Sequence, residues 1–287
     1  MGYNRSIDRF PGRKDAMLFD YLSTYHYGRC IKRNDWYLKT IGINRLYRIH
    51  RGSVSVLLDN RPYVLTEGYL YLFPQNLKFE LVLNEDTEVD HTFVDFFTLP
   101  AIKMDTLIQI DPAAHPTIGQ AAQILLHLAG THQTYPTMER NDYTELVESY
   151  LHNLLFLIDR EFPIPKIEDP RINTVLDYIH KNYDQEISLE ELLQLTNLEK
   201  NYFIRLFKSC MNITPYQYIK KYRFNIALSL LKHRCSLTEA AQKIGYADAV
   251  SFSHAFKKIY GVSPSQITKA VAQKPDAPGE PGEFLFE

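Results

Sequence analysis

The chain has 287 residues, 45% of them hydrophobic and 23% charged, with 32 Lys and Arg against 34 Asp and Glu for a net charge of −2. That balance excludes an intrinsically disordered chain. Three well-separated cysteines (Cys30, Cys210 and Cys235) exclude a disulfide scaffold, and no apolar run approaches the ~18 residues that a membrane-spanning helix needs. The length suits two domains with a core each. The charge divides unevenly: residues 171–271 hold 14 Lys/Arg against 8 Asp/Glu, whereas residues 1–170 hold 17 against 22. A polar N-terminus without a signal-peptide pattern and cysteines without a CxxC spacing predict a cytoplasmic protein.

Residues 47–58 and 63–65 are β-rich runs on either side of a turn at Asp59-Asn60-Arg61. A further strand at 68–74 ends at Pro74, and residues 79–83 and 91–99 add two more. Aromatic and β-branched residues with turns at short intervals predict a small antiparallel barrel or jelly roll within residues 1–112. Because strand side chains alternate, Arg48 and His50 share one face and Tyr47 and Ile49 the other; the pattern leaves open which face looks inward. A lumen with aromatic walls and a few fixed polar groups suits a small polar molecule. Trp36, Tyr37, Lys39, Arg48, His50 and Lys78 are the candidate contacts, although each is equally read as an ordinary half-buried or solvated residue.

Residues 113–162 hold two helical stretches, 117–132 and 138–161. The second carries Leu146, Val147, Tyr150, Leu151, Leu154, Leu155 and Ile158 at helical spacing, a stripe that packs on the barrel or forms a dimer interface. Residues 163–170, with Pro163, Pro165 and Pro170, read as a linker. Beyond it, in residues 171–271, a pattern occurs twice. Ser188-Leu-Glu-Glu191 and Ser236-Leu-Thr-Glu239 are capping-box signals, in which the Ser hydroxyl and the Glu carboxylate satisfy free backbone N–H groups reciprocally. Each opens a short helix, a turn (Asn197-Leu198, then Gly245-Tyr246) and a second helix. The second helices bury Phe203, Leu206, Phe207 and Cys210 in one copy, and Phe252, Ala255, Phe256 and Ile259 in the other. Two helix-turn-helix units result, joined by a helix over 215–233 that spans just under ~30 Å, close to the ~34 Å of one turn of B-DNA. The Pro/Gly/Glu-rich residues 272–287 read as a disordered tail.

At these residues the chain resembles the AraC/XylS family of bacterial transcriptional regulators. The run Tyr218-Ile-Lys-Lys-Tyr-Arg223-Phe-Asn-Ile-Ala227-Leu-Ser-Leu-Leu231 is similar to the family's connecting helix, and residues 244–264, with Gly245, Tyr246, Phe252, Phe256, Lys257, Gly261 and Pro264, to its signature. The departures are Leu193 for the usual Ala, Asn212 where the second copy keeps Gly261, and Ile267-Thr268 for the usual Tyr-Arg. Gly52, Gly68 and Pro74 resemble the cupin-like effector domain of many members.

The resemblance implies an α+β chain with an N-terminal cupin-like jelly roll and an all-α DNA-binding domain. It also implies double-stranded promoter DNA, RNA polymerase and a second copy of the chain as partners, and a sugar or similar polar metabolite as effector. It places Asn201, Ile204 and Arg205 in the groove for the first copy and Ala249, Val250, Ser251, Ser253 and His254 for the second. Lys200, Lys208, Lys257 and Lys258 are assigned to phosphates. No enzyme, cofactor or metal is expected. Metal-binding cupins need converging His and Glu ligands; here His50 lacks a partner two residues away, Lys78 stands where a His is common, and His91 and Glu67 are the remaining candidates. The alternatives are a cupin-type metal enzyme with a DNA-binding tail, and a regulator controlled by a protein partner with an empty barrel.

Overall fold

The computed structural model describes residues 18–32, 43–58, 61–77, 79–82, 88–131, 140–232, 235–260 and 263–272. Trp36, Tyr37, Lys39, Lys78, Asp59, Asn60 and the tail beyond Ala272 lie outside the described residues.

Among the described residues, eight strands come first: β1 (Tyr21–Lys32), β2 (Asn44–Arg51), β3 (Ser53–Leu58), β4 (Arg61–Thr66), β5 (Leu70–Phe73), β6 (Phe79–Val82), β7 (Val89–Leu99) and β8 (Ile108–Ile110). They form two antiparallel sheets, a larger one in the order β1-β7-β2-β5-β8 and a smaller one in the order β4-β3-β6. The run expected over 47–58 is broken into β2 and β3 at Gly52. There φ is +84°, and a Cβ would run into the Glu88 carbonyl, so only glycine fits. β1 and β8 were not foreseen.

Alternation along the larger sheet separates two cores. Tyr47, Ile49, Tyr71, Phe73, Val89 and Phe93 face the smaller sheet and meet Val54, Val56 and Leu65, so large side chains occupy the space between the sheets. On the opposite face Leu46, Leu70, Leu72, Val94 and Phe96 pack under helices α1 (Pro116–Thr131) and α2 (Arg140–Glu161). The α2 stripe is spent here: Val147, Leu151, Leu154, Leu155 and Ile158 are buried within this core. Residues 163–170 are pinned to the sheet's end. The Lys103 amide donates to the Pro165 carbonyl (2.9 Å) and the Ile167 amide to the Ala101 carbonyl (2.8 Å).

The described residues beyond form seven helices: α3 (Pro170–Lys181), α4 (Leu189–Thr196), α5 (Lys200–Met211), α6 (Pro215–Lys232), α7 (Leu237–Lys243), α8 (Ala249–Tyr260) and α9 (Pro264–Ala272). Asp169 caps α3 and Pro170 opens it, the asymmetry expected of a helix start.

The two halves meet on β7. Leu99 and Ala101 enter the core of α3, α4 and α5, and Ile43 and Phe97 cluster with Tyr222 of α6. The Phe97 ring lies 4.6 Å from Tyr222 and 5.0 Å from His180, and His180 stacks on Tyr222 at 4.4 Å and 12°. His180 Nε2 is 2.7 Å from the Tyr218 hydroxyl, while its buried Nδ1 has no hydrogen-bond partner.

Burial pushes the His180 pKa down to about 3 from its ordinary 6.5. The unfolded chain therefore takes up a proton below pH 6.5 that the folded chain refuses until about pH 3, so stability falls with pH across that window. Urea midpoints of the full chain should drop from pH 7 to pH 5, and His180→Phe, which keeps a ring but cannot titrate, should show a shallower drop. Equal acid sensitivity in both would show that the ring does not govern this interface.

Candidate nucleic-acid interface

Each helix-turn-helix unit is set by local chemistry. The Ser188 hydroxyl accepts from the Glu191 amide at 3.2 Å, and the Glu191 carboxylate accepts from the Ser188 amide at 2.7 Å. Ser236 and Glu239 repeat the arrangement at 3.2 and 3.0 Å. These hydrogen bonds hold both glutamates below the ordinary carboxylate pKa. The turns use left-handed backbone: Asn197 has φ +51° and Gly245 φ +78°. At Gly245 a Cβ would also stand 2.5 Å from the Asp184 carbonyl oxygen, which fixes glycine twice over. The second helices start on carboxylates. Glu199 accepts from the amides of Asn201 (2.9 Å) and Tyr202 (3.2 Å), and Asp248 from that of Ser251 (2.7 Å).

Both units hang on α6. Phe207 packs edge-on to Tyr218 at 5.8 Å. Phe224, further along the same helix, stacks on Phe252 at 5.8 Å and meets Phe256 edge-on at 6.0 Å. Phe203, Phe207, Phe252 and Phe256 are all fully buried. This fixes which faces are left outward. Lys200, Asn201, Arg205 and Lys208 of α5 are exposed with Ile204 half-buried beside them; Val250, Ser251, His254, Lys257 and Lys258 of α8 are exposed with Ala249 and Ser253 half-buried. Val250 is 67% exposed, far more than an isoleucine or valine that served packing. Tyr202, 44% exposed beside Asn201, is an outward aromatic that sequence reasoning passed over, although it falls off the buried i, i+3, i+4 stripe. The 18 residues of α6 separate the units by about 27 Å of helix.

The N-terminal candidates are divided. Arg48 pairs in register with Leu70 and Thr92, which places it on the helix-covered face of the larger sheet and not between the sheets. His50 is on that face too, with Nε2 2.7 Å from the Thr92 hydroxyl. His91 lies on the other face, stacked on Tyr47 at 4.8 Å. The two histidines thus cannot converge on one ion, and among the described residues no cluster of three metal-ligating side chains occurs. No helix among the described residues is long and apolar enough to cross a membrane.

Residues 192–270 match the model of a helix-turn-helix domain family. The Msm operon regulatory protein of Streptococcus mutans is 28% identical over 269 residues, 90% of this chain and 95% of that protein. The probable transcriptional regulator LumQ of Photobacterium leiognathi is 36% identical over 149 residues, a match spanning 48% of this chain and 59% of the relative's length. In fold, the chain is similar to ToxT from Vibrio cholerae O395 in complex with (E)-4-(8-methylnaphthalen-1-yl)but-3-enoic acid, with a TM-score of 0.63 and 12% identity over 87% of this chain and 99% of that one.

Arg205→Ala is expected to weaken binding to a preferred duplex by ~1–3 kcal/mol while leaving random duplex nearly unaffected, because a guanidinium fork reads guanine edges. Lys257→Ala should weaken both duplexes alike and reduce the salt slope by about one charge. Fluorescence anisotropy across a salt series separates them. Equal losses on both duplexes for Arg205→Ala would assign that residue to the backbone.

Proposed function

The chain belongs to the AraC/XylS family of transcriptional regulators through its C-terminal helix-turn-helix region, and from that premise we propose how it works. It is a promoter-binding regulator in which α5 and α8 read two stretches of one duplex face, while the N-terminal sandwich binds a small-molecule effector, a sugar or similar polar metabolite. The observation that carries this reading is the pair of capped, aromatically anchored helices with outward cations. The side chains of Arg205, Lys208, Lys257 and Lys258 enter no ion pair or hydrogen bond among the described residues, so their charge is free for phosphates and base edges.

In this reading Asn201, Ile204 and Arg205, and Ala249, Val250, Ser251, Ser253 and His254, meet bases, and Lys200, Lys208, Lys257 and Lys258 meet phosphates. The effector role is supported by the fold shared with ToxT, a protein whose structure holds an organic acid. The protein acts in the cytoplasm as a homodimer that engages RNA polymerase. With the α2 stripe buried, the dimer would use the outer faces of α1 and α2, where Ile124 and Phe156 are exposed. The placement of His50 and His91 on opposite faces favours a binding module over a metal enzyme.

Selection of bound sequences from a random duplex pool with the full chain is expected to return a bipartite site, its two motifs ~10–10.5 bp apart centre to centre. Arg205→Ala should relax one motif and His254→Ala the other. A single motif sensitive to only one of the two variants would overturn the two-reader arrangement.

A further inference from the structure

On the helix-covered face of the larger sheet, one row is not apolar. In register across β1, β7 and β2 stand Arg29, Thr92 and Arg48, with Asp90 and His50 alongside. Most of these groups are matched. Asp90 takes Arg29 in a two-pronged pair, 2.9 Å from Nε and 2.6 Å from Nη2, and the His50 ring meets the Thr92 hydroxyl. The end of α1 closes over this pair, with Gly130 against the Arg29 side chain.

Arg48 is the exception. It is half-buried, yet its guanidinium has neither a hydrogen bond nor an ion pair within 4.0 Å among the described residues. Asp111 acts on it only from a distance, and the Asp111 carboxylate is engaged by the Ala113 amide at 2.9 Å. Burial holds the pKa of Arg48 down, and burial together with Arg29 and Arg48 holds His50 down, so the imidazole stays neutral. Arg29 and Asp90 cancel. The row therefore carries one uncompensated positive charge, on a planar fork of donors, partly withdrawn from water. An unpaired charge so placed is costly unless something supplies its counter-charge.

We propose that Arg48, with the His50 ring beside it, anchors the carboxylate of a small organic acid on the helix-covered face of the larger sheet. A guanidinium fork matches a carboxylate with two parallel hydrogen bonds, and a single unmatched charge suits a monoanion better than a phosphate dianion. Leu46, Leu70 and Val94 on the same face are fully buried beneath α1 and α2, so the surface offered to such a molecule is the exposed part of Arg48 and His50. The inference rests on the reading of the N-terminal half as an effector domain, and narrows the effector to an acid.

The test uses the full chain in thermal-shift and calorimetric titrations against benzoate, octanoate, gluconate and pyruvate, with the matching amides, glucose and inorganic phosphate as controls. At least one carboxylate should raise the melting temperature, since binding the folded state stabilises it, and its amide should not. Arg48→Gln should weaken that acid by about tenfold or more, and Arg48→Lys, which keeps charge but loses the fork, by less. Without ligand, Arg48→Gln should melt at the same temperature as the parent chain or higher, because it removes an unpaired charge. The site is overturned if Arg48→Gln melts lower without ligand, if no carboxylate binds, if phosphate binds as well as the acids, or if the acid binds Arg48→Gln unchanged. Glucose binding that is indifferent to Arg48→Gln would sink the carboxylate site and keep the effector reading. Carboxylate binding that leaves duplex affinity unchanged would keep the site and sink the effector reading.

Discussion

The contact between β7 and the helices α3 and α6 is the constraint on which the remaining architecture depends. β7 is the most enclosed strand, buried along its full length between β1 and β2. Its side chains serve four different neighbours: Phe93 faces the smaller sheet, Val94 and Phe96 the helices α1 and α2, Phe97 the ring of Tyr222, and Leu99 the α3 core. A single rigid strand thus fixes where the sandwich, its covering helices and the helical half stand relative to one another. Buried cores have few alternative packings, so a shift of β7 would be felt by all four.

The aromatic trio of Phe97, His180 and Tyr222, in which Phe97 is tilted against the stacked His180 and Tyr222 rings, has the character of an interface that holds without locking. It is aromatic and buried, which gives it a large contact area. It also leaves the Nδ1 atom of His180 without a partner, and an unmade hydrogen bond in a buried site costs about 1–3 kcal/mol. Nearby, Asn212 occupies the left-handed position at the end of α5, where glycine is the usual residue. Asparagine tolerates that backbone and adds something glycine lacks, since its side-chain amide donates to the Asn76 carbonyl in the sandwich at 3.1 Å. The difference between Asn212 and Gly261 of the second copy is thereby explained as a tether between the two halves.

What was legible in the residues was what short-range chemistry decides. Ser188 and Glu191, Ser236 and Glu239, and the paired phenylalanines specify helix starts and buried faces within a few residues of themselves, and the structure repeats them almost atom for atom. Asp169-Pro170 with Ile172, Val175, Leu176 and Ile179 carried a start signal and a stripe of the same quality for α3, and was missed because the prolines around it suggested only a linker. β1 was harder. Its Tyr, Ser, Thr and His residues give no clean alternation, and its place beside β7 is settled by long-range pairing. The facing of Arg48 and His50 was undecidable for a similar reason: alternation separates two faces, but only the partners Leu70 and Thr92 say which is covered by helices.

The two helix-turn-helix units are consequently unequal in how the N-terminal half reaches them. Leu99 and Ala101 lie in the core of the first unit, and Asn212 ties its α5 to Asn76. Among the described residues, the second unit's core draws on α6, on Tyr183 and on its own helices, with no residue of the sandwich among its members. Arg223 of α6 donates to the carbonyls of Tyr183 and Gln185, and Asp184 presses on Gly245, so this unit is referenced to α6 and the loop after α3. The sandwich reaches α8 by two routes: through α6, whose Tyr222 touches β7 and whose Phe224, two residues on, supports Phe252 and Phe256, and through Tyr183, which packs on both the Ile43–Phe97 cluster and the second unit's core. The sandwich thus reaches the second reader only indirectly, through α6 and the loop after α3. The first reader, by contrast, it touches directly.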